Sequence, residues 1–169
     1  FTWKCLDVKY YDSIICSQNA VTVVNVWFSG FKPFLAELGD LNDLNETLKK
    51  QGGALIGINV DTLDGNADAI STAKSLLESK GASYQNIYFP SDSAAGDFAG
   101  DIMAFPTTYV IDRSGAIVGA AMLGRNSGIS VSVSFMFVIK RRKPSAETCV
   151  GIVMMRMMNA EAIFLSLKS

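Results

Sequence analysis

The 169-residue chain contains no histidine. That removes the side chain that most often serves as a general base near neutral pH and most often binds transition metals. Ser-His-Asp and Cys-His catalysis and His-based zinc sites are thereby excluded, and neither a metal nor a cofactor is expected. Cysteine is nearly as scarce: Cys5, Cys16 and Cys149 stand far apart and form no C-x-x-C pair. An odd number of isolated cysteines fixes no redox compartment. Long apolar runs are also missing, the best candidates being residues 129–139 and the interrupted stretch 150–167, short of the roughly 18 residues that read as a membrane-spanning helix. The opening FTWKCLDVKYYD lacks the pattern of a signal peptide. With 15 Lys/Arg against 16 Asp/Glu and a pI near 5.4, the chain has no general basic field to gather nucleic acid or anionic membrane. Nucleic acid is not an expected partner, and membrane contact is expected only through a tether outside these residues.

What is present is enough for a folded domain: 49% of residues are hydrophobic, ample for a core in a chain of this length. The near-zero net charge hides an asymmetry. Residues 1–124 carry 8 Lys/Arg against 14 Asp/Glu, net −6, whereas residues 125–169 carry 7 against 2, net +5, together with five of the seven Met. The composition changes sharply at Arg125. Three parts follow: an N-terminal extension over 1–20 with alternating apolar positions around Leu6, Val8 and Tyr10, able to form a leading hairpin; a domain over 21–124; and a basic, Met-rich tail over 125–169. The tail holds a strand-like SVSVSFMFVI pattern, a KRRK run that reads as a solvated turn, and a Met-rich segment around 154–158 suited to packing rather than to metal.

Within the domain, VTVVNVW at Val21–Trp27 is an apolar, β-branched run of the kind buried on both faces of a parallel sheet. A loop, FSGFK, follows, and Pro33 sits where a first helical turn tolerates it. One helix is predicted from 33 to about 51. Phe34, Leu38, Leu41, Leu44 and Leu48 form its apolar stripe, acids load its first half, and Lys49, Lys50, Gly52 and Gly53 end it. Residues 54–60 (ALIGINV) predict a second strand, DTLDGN a polar turn, and 67–80 a second helix closed by Gly81. This β-α-β-α order implies a parallel pair with a right-handed crossover. Residues 84–89 predict a short extended segment, and SDSAAGDFAGDI from Ser91 a short capped helix. Residues 107–111 and 116–123, separated by DRSG, predict an antiparallel hairpin. Parallel strands first and an antiparallel hairpin last predict an α/β, thioredoxin-like fold with a central mixed sheet flanked by helices.

A resemblance becomes specific at VVNVWFSGFKPFLAEL. This stretch is similar to the active-site segment of the TlpA-like, ResA-type thiol-disulfide oxidoreductases: an apolar strand, Trp, a short loop, Cys-x-Pro-Cys, two residues and Glu. IGINVD, YFPSDSAAGDFA and FPTTYVIDRSGAIV resemble further segments of that family in the same order, so the likeness spans roughly residues 21–124. Family chemistry rests on a thiolate held at a helix N-terminus, which attacks a disulfide, and on a second thiol one turn later that resolves the mixed disulfide. Carried over by position, the resemblance implies Phe31 for the attacking Cys and Phe34 for the resolving Cys. Lys32 and Pro33 stand between them, Glu37 for the acid that tunes thiol ionisation, Trp27 for the strand-end Trp, and Pro106, with Phe105 before it, for the cis-Pro site that binds substrate backbone. It also implies a protein substrate or partner at the Phe31/Pro106 face and an extracytoplasmic location.

Both sulfurs are therefore missing, and Phe can neither ionise nor form a disulfide. Cys5 and Cys16 precede the first central strand and Cys149 lies in the unmatched tail, so they are poor substitutes. Three readings stay open: a redox-inactive pseudoenzyme of this family, a non-catalytic binding module that uses an apolar patch of Phe31, Phe34 and Phe105, and a damaged copy of an active sequence.

Overall fold

The computed structural model describes residues 2–6, 10–12 and 18–124, so the expectations for 125–169 and for Cys16 and Cys149 lie outside the described residues. The β-branched runs form the centre of a seven-stranded sheet in the order β2-β1-β5-β4-β3-β6-β7. The strands are β1 (Thr2–Cys5), β2 (Tyr10–Asp12), β3 (Val21–Trp27), β4 (Ala54–Asn59), β5 (Gln85–Tyr88), β6 (Thr107–Asp112) and β7 (Met122–Leu123). Strands β3, β4 and β5 run parallel, whereas β6 lies antiparallel to β3 and carries β7 antiparallel at the edge. At the other edge β1 pairs antiparallel with both β2 and β5.

Both faces of the sheet are covered, which explains why β3 is apolar without alternation. Val24, Val26, Ile56, Ile58, Ile87 and Tyr109 point to one face, where they pack with Phe98 of helix α4 (Ala94–Gly100). Val21, Val23, Trp27, Leu55 and Val110 point to the other. There they meet Leu38, Leu41 and Leu48 of helix α2 (Leu38–Lys50) and Ala73 and Leu77 of helix α3 (Ala67–Ser79). Two polar residues are buried within β3, and one is answered: Asn25 Nδ2 donates to Thr108 Oγ1 on β6 at 2.9 Å.

Two sequence expectations need correction. The helix predicted from 33 to about 51 is broken into a single turn, α1 (Lys32–Leu35), and α2, with Glu37 at the N-cap of α2 in place of the second turn of one continuous helix. Leu44, placed on the apolar stripe, is only half-buried, while Asn45 beside it is buried and its Oδ1 accepts the Leu55 N–H at 3.1 Å. The strand predicted over 116–123 is likewise not continuous. A lone bridge joins Ile111 to Ile117, and regular pairing resumes only at Thr108–Met122. Three steps along β6 thus match five along the returning segment. Gly119, at φ +81°, takes a conformation that extended strands do not use and lets the extra residues loop out.

Helix α4 begins where the sequence places its cap. Ser93 Oγ accepts the Gly96 N–H at 3.1 Å and donates to the Pro90 carbonyl at 2.6 Å. Ser93→Ala removes both bonds from one helix end and is expected to cost about 1 kcal/mol. A urea melt that places the variant's midpoint at the wild-type value would contradict this.

Candidate functional site

The site lies at the C-terminal ends of β3 and β4, where parallel strands of open α/β sheets leave a crevice. Trp27, the last residue of β3, is fully buried, and its Nε1 donates to Asn86 Oδ1 on β5 at 3.0 Å. Asn86 in turn donates to the Tyr84 carbonyl at 3.0 Å, and it reaches across β4 only because residue 57 is glycine. The Tyr84 hydroxyl is buried with no protein partner, and burial pushes its phenol well above the ordinary range.

The loop after Trp27 is fastened to the end of β4 by a polar lattice. The Ser29 N–H donates to Asp61 Oδ2 at 2.7 Å, Asn59 Nδ2 donates to Ser29 Oγ at 3.0 Å, and the Asp61 N–H donates to Asn59 Oδ1 at 2.9 Å. This lattice sets the direction in which the next side chains leave the sheet. Phe28 lies edge-on to Phe105, with centroids 5.2 Å apart, and stacks at 6.2 Å on Phe31. Phe31 occupies the N-cap of α1, where its carbonyl accepts the Phe34 N–H at 3.0 Å. The Phe105–Pro106 peptide bond is cis, and the Pro106 carbonyl accepts the Gly124 N–H at 2.9 Å.

The sequence placed Phe31, Phe34 and Phe105 in one patch, and the structure divides them. Phe34 is 1% exposed and packs against Trp27 at 5.5 Å, one turn inside the core. It cannot touch a partner. The reason is helical geometry: three residues beyond Phe31, it starts the stripe continued by Leu38 and Leu41, and that stripe faces the sheet. Phe28 takes its place in the aromatic cluster. The sequence signal for Phe28 was its three-residue spacing from Phe31 within WFSGF. No local signal marked Asn86, which reaches Trp27 from 59 residues away. Pro33 lies within α1, and Glu37 begins α2 with its N–H donating to the Phe34 carbonyl at 2.8 Å.

Chemically the cluster is apolar where the polypeptide turns into a helix. Among the described residues no three His, Cys, Asp or Glu side chains group as a metal site, and no helix is long and apolar enough to cross a membrane. Cys5 is the one cysteine among the described residues. Its strand is separated from β3 by β5 and β4, which at the usual strand spacing puts it about 14 Å from β3.

The same fold recurs in solved structures. A secreted thiol-disulfide isomerase from Corynebacterium glutamicum superposes with a TM-score of 0.66 at 22% identity, covering 83% of this chain and 84% of that one. A putative thioredoxin from Neisseria meningitidis gives 0.66 at 17% identity, covering 85% and 89%. A DsbF homologue from Corynebacterium diphtheriae gives 0.64 at 21% identity, covering 81% and 83%. The fold is thus thioredoxin-like. Comparison with curated protein sequences gives no match. The family model described as AhpC/TSA matches residues 4–120, which is most of the chain, and the protein belongs to the AhpC/TSA family.

Proposed function

We propose that this protein is a redox-inactive relative of the thiol-disulfide oxidoreductases, in which Phe31 and Phe34 stand where active members carry the attacking and resolving cysteines. The observation that supports this most directly is the side-chain pair on the turn after β3. Phe31 begins α1 and Phe34 ends in the core beneath it, so the position of a nucleophile at a helix start is filled by a ring that cannot ionise. Trp27, Pro33, Glu37 and the cis-Pro106 segment then form the remaining frame of the motif without its chemistry. Cys5, three strands from β3, is badly placed to replace it. An extracytoplasmic location agrees with one matched structure being that of a secreted isomerase.

The test is insulin reduction driven by dithiothreitol. The wild-type chain is expected to give no turnover above the dithiothreitol background. Turnover well above it would refute the proposal, and its loss in Cys5→Ser or Cys16→Ser would then name the working thiol. A Phe31→Cys/Phe34→Cys variant, checked for folding by circular dichroism, separates two histories. Recovered activity marks a frame damaged only at two positions, and a folded but inert variant marks deeper divergence.

A second reading, that the face around Phe31 binds a partner, is favoured by the aromatic cluster itself. Without Phe34, that face consists of Phe28, Phe31 and Phe105.

A further inference from the structure

The chain contains a single Asn-x-Ser/Thr triplet, Asn45-Glu46-Thr47, the sequence that N-glycosylating enzymes accept. Such triplets are expected on exposed loops, whereas this one lies inside helix α2. Asn45 stands on the buried face of that helix with Leu38, Leu41 and Leu48 and is 2% exposed. Its Oδ1 accepts the Leu55 N–H of β4 at 3.1 Å, and its Nδ2 reaches Glu46 Oε1 at 3.5 Å. Thr47 is engaged as well, its Oγ1 donating at 3.0 Å to the Asp43 carbonyl one helical turn back. Both side chains that make the triplet an acceptor are thus bound up in the fold.

We propose that Asn45 is an N-glycan acceptor in the unfolded chain alone, so that glycosylation at this residue and folding of the domain exclude one another. The donor is a lipid-linked oligosaccharide. In the transfer, Asn45 Nδ2 bonds to the anomeric carbon of the first sugar and gives up a proton, while the bond from that carbon to the pyrophosphate oxygen breaks and the lipid pyrophosphate leaves with the electron pair. A chain not yet folded offers both side chains freely. Once a sugar is attached, α2 cannot seat on the sheet, because a residue that is 2% exposed leaves no room for a bulky, hydrophilic group. The Leu55 N–H then loses its acceptor, and Leu38, Leu41 and Leu48 lose their burial. An extracytoplasmic location carries a chain across a membrane, the route on which this transfer takes place, so occupancy of Asn45 there removes chains from the folded pool. The inference goes beyond the redox reading and does not depend on it.

Purified oligosaccharyltransferase with its lipid-linked oligosaccharide tests this on the folded full chain and on a synthetic peptide of residues 40–52, with the glycan read by mass spectrometry. The peptide is expected to be glycosylated at Asn45, and the folded chain at least about a hundredfold more slowly, since a buried site is reached only through the small open population. Secretion from a host that N-glycosylates gives a second arm. There the glycosylated fraction is expected to show no cooperative melt by circular dichroism. Thr47→Ala, which removes one exposed hydroxyl, is expected to yield unmodified, folded protein. Three results would overturn the proposal: a peptide that accepts no glycan, a folded chain modified at the peptide's rate, or a glycosylated chain that melts with the unmodified one. Because the insulin assay reads thiol chemistry alone, it stands or falls separately from this result.

Discussion

Gly57→Ala is expected to lower stability by about 2–6 kcal/mol. Residue 57 sits in the middle of β4 between β3 and β5, and an added Cβ would fall inside the Asn86 carboxamide, with Cγ at 2.6 Å and Tyr84 Cε2 at 3.0 Å. Asn86 has nowhere to withdraw, since it is buried and donates to the Tyr84 carbonyl while accepting from Trp27. Two costs combine: overpacking of a close-packed core, about 1–3 kcal/mol, and an indole N–H left buried without its acceptor, a further 1–3 kcal/mol. Their sum is a large part of the 5–15 kcal/mol typical of a whole domain. The melting temperature should fall by about 10 °C or more, read by circular dichroism. A double variant, Gly57→Ala/Asn86→Ala, removes the clash but not the orphaned indole, so it should recover only part of the loss. A single variant that melts within about 2 °C of wild type would show that Asn86 is free to move.

The second large effect is expected at Phe34. Truncation to Ala removes a ring that is 1% exposed and in contact with Trp27, a change that costs about 3–5 kcal/mol in protein cores. Phe31→Ala, at a half-buried position three residues earlier, should cost about 1 kcal/mol or less. The pair of denaturation midpoints therefore separates a packing residue from a surface one. Equal losses in the two variants would contradict the division of the patch. The division also settles which variant can report on binding. Loss of a partner in Phe34→Ala follows from a loosened core, whereas loss in Phe31→Ala reflects the face itself.

Much of the fold was legible in the sequence because its signals are local. The β-branched run at Val21–Trp27, the Lys-Lys-Gln-Gly-Gly end of α2 and the serine before α4 each act within a few residues, and each is in place. What escaped depends on partners distant in sequence. Asn45 looks like surface on a helix until the Leu55 N–H is found against it. Ser29 looks like a loop residue until Asn59 and Asp61 arrive thirty positions later. The patch needed a distant partner too: the resemblance, carried over by position, placed three phenylalanines together, but the facing of one helical turn sends Phe34 inward and leaves its place to Phe28. The hairpin after β6 was recognised as a pair, and its interruption was missed because Gly119 reads as an ordinary strand glycine until its positive φ is known.

The strand order carries a consequence for how the chain assembles. β3 is made early, yet one of its neighbours is β6, so Val21 lies beside Asp112 and the Asn25 amide meets a hydroxyl 83 positions later. During synthesis the apolar run 21–27 must wait through four helices and two further strands before its second edge is covered. Contacts of such long sequence separation close slowly, because the intervening loop must first be gathered. Until then β3 is an uncapped, strongly apolar edge, the kind of surface on which nascent chains aggregate. A chain that ends before β6 would keep that edge exposed for good. Truncation anywhere between Trp27 and the start of β6 at Thr107 is thus a solubility problem before it is a functional one.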